Sequence, residues 1–189
     1  LYTQATSGTP LNLQNSLGWQ AVESSNCTFT GNSLHATAPA TTSTNTNTFC
    51  LYRSTSFVNF AYQSRVTIKQ GDLFALIFRF NTLGPVLYMF GMSPEGIYEL
   101  MSGQSNSTSQ MSGKILAGGT SSAINTGLNQ SNLLTVIVRG NTIYLYINQQ
   151  YLTSVNDDVS SIGQIGVAGT NTRGGPVDVT FSELQLWKL

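Results

Sequence analysis

The stretch Leu133-Leu134-Thr135-Val136-Ile137-Val138, then Arg139-Gly140-Asn141-Thr142, then Ile143-Tyr144-Leu145-Tyr146-Ile147 decides the fold class of this chain. Both flanks are rich in β-branched and aromatic residues, and the Gly-Asn pair between them supplies the positive-φ positions of a tight reversal, so the stretch reads as a β-hairpin. Outward from it the same period of two recurs. Between residues 59 and 69, Phe60, Tyr62, Ser64, Val66 and Ile68 alternate with Ala61, Gln63, Arg65 and Thr67, which puts an apolar-rich row on one face of a strand and a polar row on the other. Further strands are expected at 18–22, 27–30, 33–37, 48–53, 73–80, 86–92, 97–101, 115–117, 164–168 and 177–187. Segment 73–80 is apolar except for Arg79 and therefore belongs inside a sheet, not at its edge. No long segment repeats its apolar residues at 3.6. The expectation is an all-β chain, a two-sheet antiparallel β-sandwich with little or no helix. Segments 39–47 and 102–112, nearly all Ser, Thr, Asn and Gln, read as long solvated loops. Residues 1–16 read as an N-terminal linker or edge segment, and 17–189 as one domain.

Eight basic and eight acidic residues among 189 cancel to zero net charge, while Ser, Thr and Asn make up 61 positions, about a third. A chain without basic excess cannot accumulate the phosphate contacts that drive nucleic-acid affinity, so nucleic acid is excluded as its main ligand. The same balance argues against an anionic membrane surface. The longest strictly apolar run, 73–78, is far below the roughly 18 residues of a spanning helix, so membrane insertion by this domain is not expected. A surface solvated by hydroxyls and amides points to an extracytoplasmic location, secreted or cell-surface. The chain opens Leu-Tyr-Thr with no leader, which reads as a fragment whose signal or anchor lies elsewhere. Cys27 and Cys50 are the only cysteines. An even count in such a chain predicts a disulfide between them, closing a loop around the Thr-rich segment.

The order of these features resembles the concanavalin A-like lectin and glucanase superfamily, in particular its laminin-G-like and 3-keto-disaccharide hydrolase-like jelly rolls. The resemblance extends over about residues 17 to 187. It is carried by Gly18-Trp19, Gly31-Asn32-Ser33-Leu34, Phe57-Val58-Asn59-Phe60-Ala61-Tyr62 and Leu76-Ile77-Phe78-Arg79-Phe80. It continues through Asn132-Leu133-Leu134-Thr135-Val136, Gly140-Asn141-Thr142-Ile143 with Tyr146-Ile147-Asn148, Gly163-Gln164-Ile165-Gly166-Val167 and Val179-Thr180-Phe181-Ser182-Glu183-Leu184. What the resemblance implies is a jelly roll whose opening and closing strands pair, bringing Trp19 near Trp187. Function does not follow from it, because the superfamily hosts lectins, hydrolases and adhesive modules.

Glucanase relatives set their carboxylates on one strand as Glu-x-Asp-x-Glu, since alternation points all three into the cleft. That motif is absent here; Glu95 with Glu99 and the adjacent Asp157-Asp158 are the nearest acid pairs. In the keto-disaccharide branch, Arg79 maps onto the polar pocket, but Gln70-Gly71-Asp72-Leu73 replaces that branch's small-residue run. The lone His35, with no second His or Cys cluster, makes neither a typical zinc site nor a Ser-His-acid triad. No cofactor is expected, with calcium at Asp157 and Asp158 as a minor option. Binding remains. Tyr88 and Phe90 share one strand face, as do Ile97 and Glu99 on the next, with Tyr98 opposite; parity leaves open which row faces the core. The expected ligand groove is lined by Arg79, Tyr88, Tyr98 and Glu99. The expected function is a non-catalytic recognition module for carbohydrate or a cell-surface protein, the exposed sensor or adhesive domain of a longer membrane-anchored chain such as a receptor kinase. The alternative is a glycoside hydrolase-like enzyme with an atypical site. The sequence does not bear on oligomeric state.

Overall fold

The computed structural model describes residues 1–15, 17–22, 25–42, 44–81, 86–107 and 110–189. Among the described residues the chain forms one short helix, α1 (Tyr2–Ala5), and the strands β1 (Leu11–Asn12), β2 (Trp19–Val22), β3 (Asn26–Thr30), β4 (Ser33–Ala38), β5 (Thr46–Phe57), β6 (Phe60–Gln70) and β7 (Leu73–Asn81). They continue as β8 (Val86–Met92), β9 (Ile97–Ser107), β10 (Gln110–Thr120), β11 (Ser131–Arg139), β12 (Thr142–Ile147), β13 (Gln150–Asn156), β14 (Gly163–Asn171) and β15 (Val177–Lys188). One sheet has the order β13-β12-β11-β6-β15-β4-β3, with β1 paired to β15, and the other β10-β9-β8-β7-β14-β5-β2. Neighbouring strands are antiparallel throughout. No helix among the described residues is long and apolar enough to cross a membrane.

The alternation read from the sequence is what builds the core. Phe60, Tyr62, Val66, Leu134, Val136, Leu145 and Phe181 project from one sheet to meet Phe74, Leu76, Phe78, Tyr88, Phe90, Leu100 and Val167 from the other. Burying each such side chain contributes roughly 1.5–3 kcal/mol. As expected of a nearly all-apolar strand, β7 lies inside its sheet, between β8 and β14. The β11–β12 hairpin has a two-residue turn, in which Gly140 takes φ 57°.

Three expectations are corrected. Segment 102–112 is not a loop: Ser102, Gly103 and Gln104 of β9 pair with Lys114, Gly113 and Ser112 of β10. Backbone hydrogen bonds hold this hairpin, so its side chains need show no hydrophobic period; residues 108 and 109 lie outside the described residues. Strand β13 went unrecognised because its core-facing residues, Leu152 and Val155, are three apart; a register shift between Leu145 and Tyr146 breaks the alternation of the pair. Trp19 and Trp187 are not neighbours. β2 pairs with β5 and β15 with β4 and β6, in different sheets, so Trp19 enters the central core beside Tyr52 and Phe29. Trp187 instead sits on the outer face of its sheet beneath the N-terminal segment, its indole Nε1–H donating to Gly8 O at 2.9 Å. Residues 1–15 thus pack onto the sandwich through α1 and the short strand β1.

Cys27 on β3 and Cys50 on β5 form a disulfide. Because β3 and β5 belong to different sheets, the bond staples the two layers together near their shared edge. Reduction, or the Cys27→Ser/Cys50→Ser double variant, is expected to lower the unfolding free energy by about 3 kcal/mol, from the loop entropy returned to the unfolded chain. Urea titration with and without reductant measures this, and an unchanged midpoint would contradict it.

Candidate functional site

At one end of the sandwich a buried guanidinium gathers three connections. The ladder of β7 shifts register between Phe78 and Asn81, and Arg79 takes a left-handed φ of 49°. This turns its side chain inward, to 0% exposure. Arg79 Nη1 donates to Ser160 O at 3.0 Å, and Nη2 donates to Val58 O at 2.8 Å and Gly140 O at 2.7 Å. The three carbonyls belong to the β13–β14, β5–β6 and β11–β12 connections. Ser160 Oγ in turn donates to Arg79 O at 3.2 Å. Carbonyl dipoles, not a carboxylate, compensate the charge; burial draws its pKa down and the neighbouring Tyr88 opposes that. Gly163 is required opposite, because a Cβ there would lie 2.4 Å from the Arg79 carbonyl carbon.

Tyr88 is also 0% exposed, its ring stacked on Phe78 at 5.3 Å. Its hydroxyl donates to Asp157 Oδ1 and accepts from Ser160 N. Burial, then the bond to Asp157, pushes its pKa up to about 12. Asp157 Oδ1 also accepts from Val159 N at 3.1 Å. The loop considered for calcium is therefore a hydrogen-bonded turn with Asp158 exposed beside it. Among the described residues no cluster of three or more His, Cys, Asp or Glu could hold a metal ion.

The groove expected from Arg79, Tyr88, Tyr98 and Glu99 does not form. Arg79 and Tyr88 come together, but inside the protein. Tyr98 packs against the central core, and Glu99 alone points to the outer face of the β10-to-β2 sheet. There Glu99 edges a cleft of only about 10 Å³, walled by Leu73, Ala75, Met89, Gly91 and Met101. The face continues as an apolar cluster of Leu51, Ile77, Leu87 and Ala168. Glu99 is its one carboxylate among these residues, so this surface has little to offer a polyhydroxylated ligand.

The opposite end carries a polar pocket of about 230 Å³. Gly71 and Asp72 reach it from the β6–β7 turn, Pro94 and Glu95 from the β8–β9 turn, Leu128 from residues 121–130, and Asn171 and Arg173 from the β14–β15 connection. Part of this lining is scaffold. The Asp72 carboxylate accepts from Thr172 N at 2.9 and 3.1 Å and from Thr172 Oγ1. Asn171 Oδ1 accepts from Arg173 N at 3.1 Å, and its Nδ2 donates to Pro176 O at 3.2 Å. Gly127 N donates to Pro94 O at 2.8 Å, fixing the neighbouring loop. Glu95 and Arg173 are left: the one ion pair among the described residues is Arg65–Glu183, so neither side chain is neutralised by a partner. An acceptor and a forked donor thus face one cavity beside the apolar Pro94 and Leu128. Sequence reasoning passed over these residues because Gly71-Asp72, Pro94-Glu95-Gly96 and Asn171-Thr172-Arg173-Gly174 each read as an ordinary turn.

No protein-family model matches the sequence, and no curated protein matches it. Solved structures do match. The carbohydrate binding module CBM66 from Bacillus subtilis superposes with a TM-score of 0.72 at 19% identity, over 90% of this chain and 96% of that one. The fold is a concanavalin A-like jelly roll. The κ-carrageenase of Pseudoalteromonas carrageenovora, in complex with an oligotetrasaccharide of κ-carrageenan, matches at TM-score 0.61 and 11% identity, over 94% of this chain and 91% of that one. The exoplasmic/lumenal domain of VIP36, bound to Ca²⁺ and Man3GlcNAc, matches at 0.60 and 11%, over 95% and 87%.

Two outcomes follow from the closed end. Arg79→Leu leaves the buried Ser160 carbonyl and the part-buried Val58 and Gly140 carbonyls without their donor and should cost about 1–3 kcal/mol, read from urea unfolding; wild-type stability in that variant would contradict the role given to the guanidinium. Tyr88 ionises near 10 when unfolded and near 12 when folded, so its contribution is complete below pH 10 and is lost as pH rises from there towards 12. The alkaline fall in stability should be shallower in Tyr88→Phe across that window, and an identical slope would remove Tyr88 as a cause.

Proposed function

We propose that this domain is a non-catalytic carbohydrate-binding module that holds a neutral sugar in the pocket between the β6–β7, β8–β9 and β14–β15 turns. The observation that carries this reading is the uncommitted pair Glu95 and Arg173 facing one polar cavity. A sugar hydroxyl is both donor and acceptor, so adjacent hydroxyls can donate to Glu95 and accept from Arg173, while a ring face rests on Pro94 and Leu128. The cavity, about 230 Å³, is smaller than the roughly 300–1,000 Å³ of a drug-sized site, which suits about one ring. Asp72 and Glu95 outnumber Arg173 in the lining, which disfavours acidic sugars. The fold is shared with proteins whose names and complexes concern carbohydrate. The Cys27–Cys50 disulfide suits an extracytoplasmic setting, where such ligands are met.

A second reading rests on one observation. Asp72 and Glu95 open onto the same pocket, as two carboxylates of a glycoside hydrolase would. Asp72 is already tied by Thr172, which favours a structural part for it over proton transfer. Calorimetry with neutral disaccharides, guided by a glycan array, separates the two. Arg173→Ala and Glu95→Gln should each weaken binding at least about tenfold, the equivalent of about 1.4 kcal/mol, with unchanged melting. Turnover of an oligosaccharide that Glu95→Gln abolishes would replace the binding module with the enzyme.

A further inference from the structure

A cluster of tyrosines lies on the outer face of the β13-to-β3 sheet, away from the pocket. Tyr146 of β12 sits between Tyr2 of α1, at 5.4 Å between ring centroids, and its cross-strand partner Tyr151 of β13, at 5.5 Å. Tyr144 stands two residues along β12 on the same face, opposite Ser154. Helix α1 covers only part of this surface: Ala5 and Tyr2 pack over Ala61, Ile137, Tyr146 and Trp187. Tyr144 stays half-exposed and Tyr151 is 55% exposed.

Three features separate this face from a stray exposed aromatic, which by itself is ordinary. The rings of Tyr2, Tyr146 and Tyr151 are in contact, and Tyr144 packs against the same cluster. Tyr2 donates its hydroxyl to Gln63 Oε1 and Tyr151 to Ser154 Oγ, whereas those of Tyr144 and Tyr146 have no hydrogen-bond partner among the described residues. Lastly, residues 142–156 contain no Asp, Glu, Lys, Arg or His. Exposed edge strands are usually blunted by charge, and β13, at the edge of its sheet, carries none. The β12–β13 part of this face is aromatic and carries no charge of its own, with Ser154 and Asn156 beside the rings, Arg139 at the turn opposite Thr142 and the Arg65–Glu183 pair beyond Tyr2; it matches a neutral chain of rings and hydroxyls.

The face is also coupled to the pocket. In the β12–β13 turn, Asn148 and Gln149 both take positive φ, 50° and 67°. Asn148 holds this turn in place: its Nδ2 donates to Ala123 O and Asn132 Oδ1, and its Oδ1 accepts from Leu133 N. Asn132 bonds Asn125 in both directions. The turn joining β12 to β13 is thereby fastened to the connection that supplies Leu128 to the pocket.

We infer that the Tyr144–Tyr151 face is a second carbohydrate surface, which holds the chain of a neutral polysaccharide by stacking sugar rings on its tyrosines. The inference rests on the carbohydrate reading of the domain but on none of the pocket residues. Tyrosine suits the task because its ring is apolar and its hydroxyl end stays wet. Two sites on one rigid body let a polymer engage twice, raising affinity through effective concentration.

Affinity electrophoresis in gels containing mixed-linkage β-glucan, mannan or dextran, with κ-carrageenan as the acidic control, tests this on the wild type, Tyr144→Ala/Tyr151→Ala, Tyr151→Phe and Arg173→Ala. At least one neutral polymer should retard the wild type. The double tyrosine variant should bind that polymer about tenfold more weakly, yet match the wild type in calorimetry with the corresponding disaccharide and in melting temperature. Tyr151→Phe should stay close to the wild type. Equal retardation of the double variant and the wild type overturns the inference, as does a wild type that no neutral polymer retards. Sedimentation showing polymer-free self-association that the double variant abolishes also overturns it, since the face would then be a protein interface. Undiminished disaccharide binding by Arg173→Ala would sink the pocket reading alone, leaving the tyrosine result to stand or fall separately.

Discussion

A guanidinium without a carboxylate holds the closed end of this sandwich. Arg79 lies fully buried and donates to carbonyls from three connections, each joining strands that face the central core. In low-dielectric surroundings an unpaired cation is costly, and only a ring of well-placed dipoles makes it tolerable. The arrangement therefore constrains everything around it. The register shift of β7, the left-handed backbone at Arg79, the glycine at 163 and the positions of the Val58, Gly140 and Ser160 carbonyls are mutually dependent. Tyr88 and Asp157 extend the same network and seat the β13–β14 connection against the Phe78 ring.

The other end is held in a different way. The connections at the pocket end are held locally, by Asp72 on Thr172, Asn171 on its own turn, and Asn132 with Asn148, instead of by one central group. Such local ties fix the backbone of each turn while leaving side chains such as Glu95 and Arg173 unspent. Loops mounted on a rigid scaffold commonly carry recognition for this reason.

The two outer faces differ in kind. Over the β10-to-β2 sheet, aliphatic and methionine side chains fill the surface and leave a cleft hardly larger than a water molecule. Over the other sheet, the N-terminal segment covers Trp187 and Tyr146 but stops short of Tyr144 and Tyr151. The binding chemistry proposed above lies at one end and on one face, away from the buried Arg79 and Tyr88.

The sequence by itself determined the fold class, most of the strands and the disulfide. Those depend on local chemistry: β-branched alternation, a Gly-Asn reversal and two cysteines in a charge-poor chain. It also singled out Arg79 and Tyr88, but as lining a ligand groove, whereas both are fully buried. Only the tertiary structure decided where they point. Strand parity assumes an unbroken ladder, and the register shift beside Arg79 inverts it, while Tyr88 follows Phe90 into the core. The pocket was illegible for a different reason. Asp72, Glu95 and Arg173 are spread over 101 positions and each lies in a segment that reads as a plain turn, so their convergence is a property of the strand order. The tyrosine face likewise needs β12 at register with β13, a strand with no hydrophobic period of its own, because neighbours in a sheet are chosen by backbone pairing across the whole domain and not by the residues beside them in the chain.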